Sequence, residues 1–265
     1  MPKAHGLGKT HEPEMKVPVP NLLIVGSQKS GTTWLHNALG FSKQIFASQP
    51  KELNTMNQPN IESIFSSYIA HFPDQGPNVK YYLESTPHYF QLPFSGTDIA
   101  RNIKTFLGDP KLLVLFRNPV ERYESAYTHH IMKERLPYTP VISSFENSNK
   151  MLELGHYGRI LAHWRSVFPD IRAYLYDQVK NDRFGLIEDI MSYLDIENDI
   201  RPELLEFRTN DKVIKAKKLG SIWNTMPKLD GALRLQLIEY YRPHVQELAD
   251  MLQTDLSHWL SVDPA

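Results

Sequence analysis

Short, nearly continuous apolar runs punctuate the chain, and each is followed by a stretch that reads as helix, several with apolar residues three and four positions apart. The runs at 21–26, 81–84, 111–116 and 171–176, with a weaker one at 44–47, predict five strands. Because they are apolar throughout rather than alternating, they suit strands buried on both faces of a parallel sheet. Helices are predicted over 31–40, 97–107, 119–133, 157–167, 179–194 and 231–252, with Pro119 in a first turn where its missing N–H costs nothing. Periodicity fades and Pro, Asn and Ser accumulate at 53–80 and 134–150, which predicts loops on a functional rim. Strands alternating with helices give an α/β fold, a central and mostly parallel five-stranded sheet flanked by helices. No shift in composition divides 21–265, so it reads as one domain, with 205–230 as an excursion before the last helix. Residues 1–20, with four prolines, read as a flexible arm.

Composition narrows the chemistry. The longest apolar runs, Leu22-Leu23-Ile24-Val25 and Leu112-Leu113-Val114-Leu115-Phe116, fall far short of the roughly 20 residues a membrane span needs. The first 20 residues carry Lys3 and Lys9 but no apolar core of a secretory signal. The absence of cysteine among 265 residues excludes disulfides, thiolate metal sites and a thiol nucleophile, and predicts a reducing, cytoplasmic setting. With 29 Lys+Arg against 30 Asp+Glu, nothing in the overall charge favours nucleic acid, so any anion must be met by locally placed cations.

Such a place is visible after the first strand, in Gly26-Ser27-Gln28-Lys29-Ser30-Gly31-Thr32-Thr33-Trp34. Two glycines permit a tight turn, and the helix starting near Thr32 points its positive end at the loop. Lys29 supplies a full charge. The Walker pattern puts lysine directly after the second glycine, whereas Thr32 stands there and Lys29 precedes Gly31 by two. A magnesium-holding acid is also missing after the 111–116 strand, where Arg117 follows Phe116. Arg117 lies at a strand's carboxyl end, where open α/β sheets bind ligands, and Ser125 lies two helical turns beyond Pro119. A guanidinium fork plus a hydroxyl suits a terminal phosphate. The same residues also allow an Arg117–Glu121 ion pair with Ser125 as a packing residue. The 11 histidines show no metal-binding spacing, and His129-His130 read as a helix surface, so no metal is assigned.

The run Gln28-Lys29-Ser30-Gly31-Thr32-Thr33-Trp34 resembles the 5′-phosphosulfate loop of sulfotransferases that use 3′-phosphoadenosine-5′-phosphosulfate (PAPS), and Arg117 with Ser125 match that family's 3′-phosphate motif. Lys51-Glu52, Glu84-Ser85-Thr86-Pro87-His88-Tyr89-Phe90 and Gly155-His156-Tyr157 with Leu161 and Trp164 resemble segments of the heparan-sulfate type, in order from about 20 to 260. Bacterial carbohydrate-type relatives are similar in pattern. The resemblance implies a P-loop-like fold and transfer of a sulfuryl group from PAPS to a hydroxyl or amine of a carbohydrate or small-molecule acceptor, with 3′,5′-ADP as product and no metal.

Carried over residue by residue, it implies that Lys29 stabilises the departing oxygen, helped by Gln28, Ser30, Gly31, Thr32 and Thr33. Trp34 stacks on the adenine and Tyr157 approaches it, although both also read as core aromatics. Glu52 is the implied general base; from the residues alone Lys51-Glu52 also reads as a surface pair, and His88 is the rival base. Two departures stand out. Ser85 occupies a position where heparan-type enzymes carry lysine, and the late Lys-Gly-Arg run of animal enzymes is absent, which leaves Lys212, Lys215, Lys217 and Lys218 as a candidate lid. The alternatives are a P-loop-like kinase or NTPase and a catalytically silent 3′,5′-ADP-binding protein on the same fold.

Overall fold

The computed structural model describes residues 18–207, 223 and 225–262. The predicted arm up to residue 17 and the lysine cluster at 212–218 lie outside them. Five parallel strands form the central sheet, β1 (Leu22–Gly26), β2 (Ile45–Ala47), β3 (Tyr81–Ser85), β4 (Lys111–Phe116) and β6 (Arg172–Leu175), in the order β2-β3-β1-β4-β6. The flanking helices are α1 (Thr32–Leu39), α2 (Ile61–Ile69), α3 (Ile99–Leu107), α4 (Pro119–Met132), α5 (Tyr157–Val167), α6 (Tyr176–Asn181), α7 (Arg183–Tyr193) and α8 (Gly231–Leu252). A short parallel pair, β5 (Val141–Ile142) with β7 (Lys228–Leu229), ties the 134–150 segment to the residues that enter α8.

The apolar runs work as two-sided strands. Leu23, Val25, Leu112, Val114 and Phe116 point into a core shared with α4, α5 and α8, while Leu22, Ile24, Leu113 and Leu115 point into the other, shared with α1 and α7. That is the period of two expected of successive strand residues. All of these side chains are essentially inaccessible to water, and truncating one of the leucines to Ala is worth about 2–5 kcal/mol of stability. The order reverses across β1 and β4, since the chain leaves β1 toward β2 and β3 and leaves β4 toward β6. Their carboxyl ends therefore flank the crevice in which this architecture binds ligands.

Three expectations need correction. The segment 53–80 is not all loop, because Ile61, Phe65, Tyr68 and Ile69 of α2 pack into the core, where Phe65 and Tyr68 join Phe72 and Phe106 in an aromatic cluster. The helix is only nine residues long, so packing rather than its own propensity holds it. The last strand stops at Leu175, and Tyr176 opens a helix instead. The single helix expected over 179–194 is broken at Asp182, whose extended backbone lets its carboxylate accept from the Gly185 N–H at 2.9 Å and cap α7. Among the described residues, no helix is long and apolar enough to cross a membrane.

Candidate active site

The loop after β1 is shaped by close packing. Gly26 lies against Phe90, so near that a Cβ on it would sit 2.3 Å from the Phe90 Cβ. Gly31, at φ +91°, lies where a Cβ would meet the Tyr176 ring at 2.7 Å, so this position excludes a side chain both by conformation and by space. Lys29 also has positive φ, at 69°. The Ser27 N–H and hydroxyl both donate to the Leu115 carbonyl, at 2.8 and 2.7 Å, which staples the loop to β4. Ser30 is fully buried, with its hydroxyl 2.7 Å from that of Ser27. Its side chain thus braces the loop from inside and is not part of the cavity wall.

Above the loop opens a cavity of about 610 Å³, bounded by residues from each part of the crevice. Gln28, Lys29, Gly31, Thr32, Thr33 and Trp34 come from the loop and α1, Arg117 from the end of β4, and Glu52 and His88 from the opposite rim. The first N–H groups of α1 have no acceptor within the helix and make this end attractive to an anion. Trp34 is almost wholly buried, lies parallel to Phe207 at 6.0 Å, and donates its indole N–H to the Leu205 carbonyl at 3.4 Å.

Arg117 forms the ion pair with Glu121 and still lines the cavity. Its Nε and Nη2 donate to Glu121 at 3.0 and 2.7 Å, while the guanidinium also faces the cavity and lies 5.0 Å from the centre of the Tyr176 ring. The ion pair orients the fork, which is partly exposed, without removing it from the wall. Asn118 starts α4 by accepting from the Val120 N–H at 2.9 Å, and so turns the chain immediately after Arg117. Tyr157 does not line the cavity. It is buried beneath, and its hydroxyl donates to the Arg117 carbonyl at 3.0 Å.

On α4, Ser125, Thr128, His129 and Met132 all face the cavity. Sequence reading took His129-His130 as a helix surface. Instead His130 is buried, and His129 is half-buried with its pKa pushed down to about 3 by burial first and then by Lys29, His130, Lys133 and Arg135. It is therefore a neutral imidazole near pH 7. The signal was present, since Ser125, Thr128, His129 and Met132 stand at i, i+3, i+4 and i+7, one face of a helix. Tyr176, Lys180, Arg183 and Phe207 complete the wall and were also missed. Tyr176 follows the carboxyl end of β6, a position equivalent to those of the loop and Arg117.

Among the described lining residues, four cations, Lys29, Arg117, Lys180 and Arg183, share the cavity with one carboxylate, Glu52. A chain of net charge −1 thus gathers cations in its cleft, although Arg117 and Arg183 are also paired with Glu121 and Glu206 at 2.7 and 3.1 Å. Lys51, mostly buried, holds Glu52 through an Nζ–Oε1 contact of 3.1 Å, and about half of the Glu52 side chain stays accessible. His88 has its Nδ1 3.4 Å from the Gln28 amide, and burial, with Lys150 and Arg135, lowers its pKa against the opposing pull of Glu52. Ser85 puts no cation near Glu52. Its hydroxyl meets His36 Nδ1 at 2.8 Å, and burial and Lys51 lower that histidine to about 4. Among the described residues, no group of three His, Asp or Glu side chains is arranged to hold a metal ion.

This geometry agrees with what the chain is similar to. A family model described as the sulfotransferase domain matches residues 19–228. Human bifunctional heparan sulfate N-deacetylase/N-sulfotransferase 2 is 27% identical over 268 residues, covering 88% of this chain, and human N-deacetylase/N-sulfotransferase 1 is 27% identical over 279 residues, covering 92%. The chain spans only 29% and 31% of the lengths of these two relatives. Among solved structures, a sulfotransferase from Alicyclobacillus acidocaldarius superposes with a TM-score of 0.68 at 21% identity, covering 92% of this chain and all of that one. The sulfotransferase domain from the curacin biosynthetic pathway gives 0.55 at 15% identity, over 90% of this chain and 99% of that one. With the family model spanning most of its length and the fold shared with solved sulfotransferases, this chain belongs to the sulfotransferase domain family.

Proposed function

We propose that the chain transfers a sulfuryl group from PAPS to a hydroxyl or amine of a carbohydrate or small-molecule acceptor, and releases 3′,5′-ADP. The observation that carries this reading is that Lys29, Arg117 with Ser125, and Glu52 open into one cavity. Its chemistry fits the nucleotide. Gly31 leaves backbone where a side chain would intrude, α1 offers its positive end, and the Arg117 fork is aimed by Glu121.

In the proposed reaction the bond between sulfur and the bridging oxygen breaks, its electron pair stays on the 5′-phosphate oxygen, and a new bond forms between sulfur and the acceptor atom. Lys29, with Gln28, Thr32, Thr33 and the backbone around Gly31, neutralises the oxygen that departs. Ser30 contributes by holding the loop in shape. Arg117 and Ser125 bind the 3′-phosphate, with Tyr157 fixing the Arg117 backbone from below. Trp34 borders the adenine pocket. Glu52 takes the proton of the acceptor, with His88, on the wall of the same cavity, as the rival base. Positioning and charge do most of the work, by analogy with phosphoryl transfer. The cysteine-free sequence supports a cytoplasmic setting as part of this proposal.

Thermal unfolding with added nucleotides tests the reading. Greater stabilisation by 3′,5′-ADP than by ATP with magnesium is expected, because a ligand that binds only the folded state raises its stability by mass action. An equal or reversed order would count against the reading.

A further inference from the structure

Glu84, on β3, has no exposure to solvent. Its Oε1 accepts from the Thr86 hydroxyl at 2.5 Å, and Thr86 Oγ1 in turn accepts from the Asn54 N–H at 3.3 Å. Asn54, at φ 55°, donates its side-chain amide to the Glu52 carbonyl at 3.0 Å. Asn54 is thus tied through the Thr86 hydroxyl to the carboxyl group beneath it, and Glu52 is tied to Asn54. The other oxygen, Oε2, is buried with no hydrogen-bond partner among the described residues. Enclosing an acid in this way is costly, and a pocket built for stability alone would be served as well by an amide or an apolar residue.

Resting on the reading of Glu52 as base, we propose that Glu84 is a positioning residue that fixes, through Thr86 and Asn54, the loop from which Glu52 reaches into the cavity. The groups that face the buried acid are Lys51 and Glu52 from that loop, Tyr68 from α2, and Thr86 and Tyr89 from the segment after β3. Burial dominates among them and raises the Glu84 pKa to about 8. Below that value the acid is neutral and Lys51 is left to Glu52. Above it, a second carboxylate competes for Lys51 and loosens the Lys51–Glu52 contact, so turnover declines as pH passes this range.

The test compares Glu84→Met, Glu84→Gln, Thr86→Val and Glu52→Gln, singly and with Glu84→Met and Glu52→Gln combined, in sulfuryl transfer at saturating PAPS and in titration with 3′,5′-ADP. Glu84→Met, which removes the acceptor of the Thr86 hydroxyl, is expected to lower kcat between about tenfold and a hundredfold, the scale of a misplaced reacting group, and to leave 3′,5′-ADP affinity unchanged. Thr86→Val reproduces the loss in kcat, Glu84→Gln keeps the acceptor and so keeps kcat near neutral pH while abolishing the alkaline decline, and Glu84→Met adds nothing in the Glu52→Gln background. An inactive Glu52→Gln beside a Glu84→Met of normal kcat overturns the positioning role alone, as do multiplying losses in the combined variant. Near-normal turnover in Glu52→Gln overturns the base assignment and the positioning role with it. Should Glu84→Met fail to fold, a Thr86→Val enzyme of normal kcat overturns the proposal.

Discussion

The Tyr157 hydroxyl donates to the Arg117 carbonyl at 3.0 Å, linking the first residue of α5 to the residue that follows β4. The Tyr157 ring also packs on Phe116, with centroids 4.8 Å apart. Through this contact a core aromatic sets the backbone from which the Arg117 guanidinium reaches the cavity. Tyr157→Phe leaves the packing intact but deprives a partly buried carbonyl of its donor, at a cost of about 0.5–1.5 kcal/mol. A melting temperature lower by about 1–3 °C is expected, together with a several-fold weaker affinity for 3′,5′-ADP in calorimetric titration. Unchanged values for both would remove Tyr157 from the account.

Gly31 is constrained twice, by φ +91° and by the Tyr176 ring, which a Cβ would approach to 2.7 Å. Gly31→Ala is therefore expected to cost about 1–3 kcal/mol through backbone strain and to push Tyr176 away from the Arg117 guanidinium. Chemical denaturation measures the first effect and nucleotide titration the second. Gly96, equally left-handed at φ +80° but with open space around it, provides the control, since Gly96→Ala should lower stability without changing nucleotide affinity.

His36, His129 and His156 all have pKa values depressed by burial, to about 4, 3 and 4. A histidine whose folded-state pKa lies below its unfolded value of about 6.5 takes up a proton in the unfolded chain first. The stability linked to these groups is fully present above pH 6.5 and is lost as pH falls toward 4. Denaturant titrations at pH 7, 6, 5 and 4 should show declining stability with a slope of about 1.4 kcal/mol per pH unit for each proton taken up only on unfolding. A flat profile over this range would mean that the imidazoles take up protons alike in the folded and unfolded chains, so that burial does not depress them.

The sheet and most helices were legible because β1 and β4 are buried on both faces and their sequences are apolar without interruption, while α8 begins and ends where its periodicity does. The nucleotide side of the site was legible for a related reason. Its residues are contiguous in the loop or lie at the end of a strong strand. What escaped was assembled by tertiary packing. His129 joins the cavity only because α4 turns its Ser125 face inward, and Tyr176 and Lys180 because the chain switches from β6 to a helix earlier than its hydrophobicity indicates. Ser30 and Tyr157 belong to the motif by sequence, yet in the structure they brace the loop and the Arg117 backbone from beneath.

The central claim, that this cavity joins PAPS binding at Lys29 and Arg117 to proton removal at Glu52, is tested most directly by acceptor-dependent release of 3′,5′-ADP from PAPS. Wild-type and Glu52→Gln proteins would be compared at saturating PAPS against a panel of glycans, phenols and lipid alcohols. The account predicts turnover by the wild type with at least one acceptor class, and a loss of about a hundredfold or more in Glu52→Gln with 3′,5′-ADP affinity preserved. Near-normal turnover in Glu52→Gln, or a loss matched by an equal loss of nucleotide binding, would contradict it.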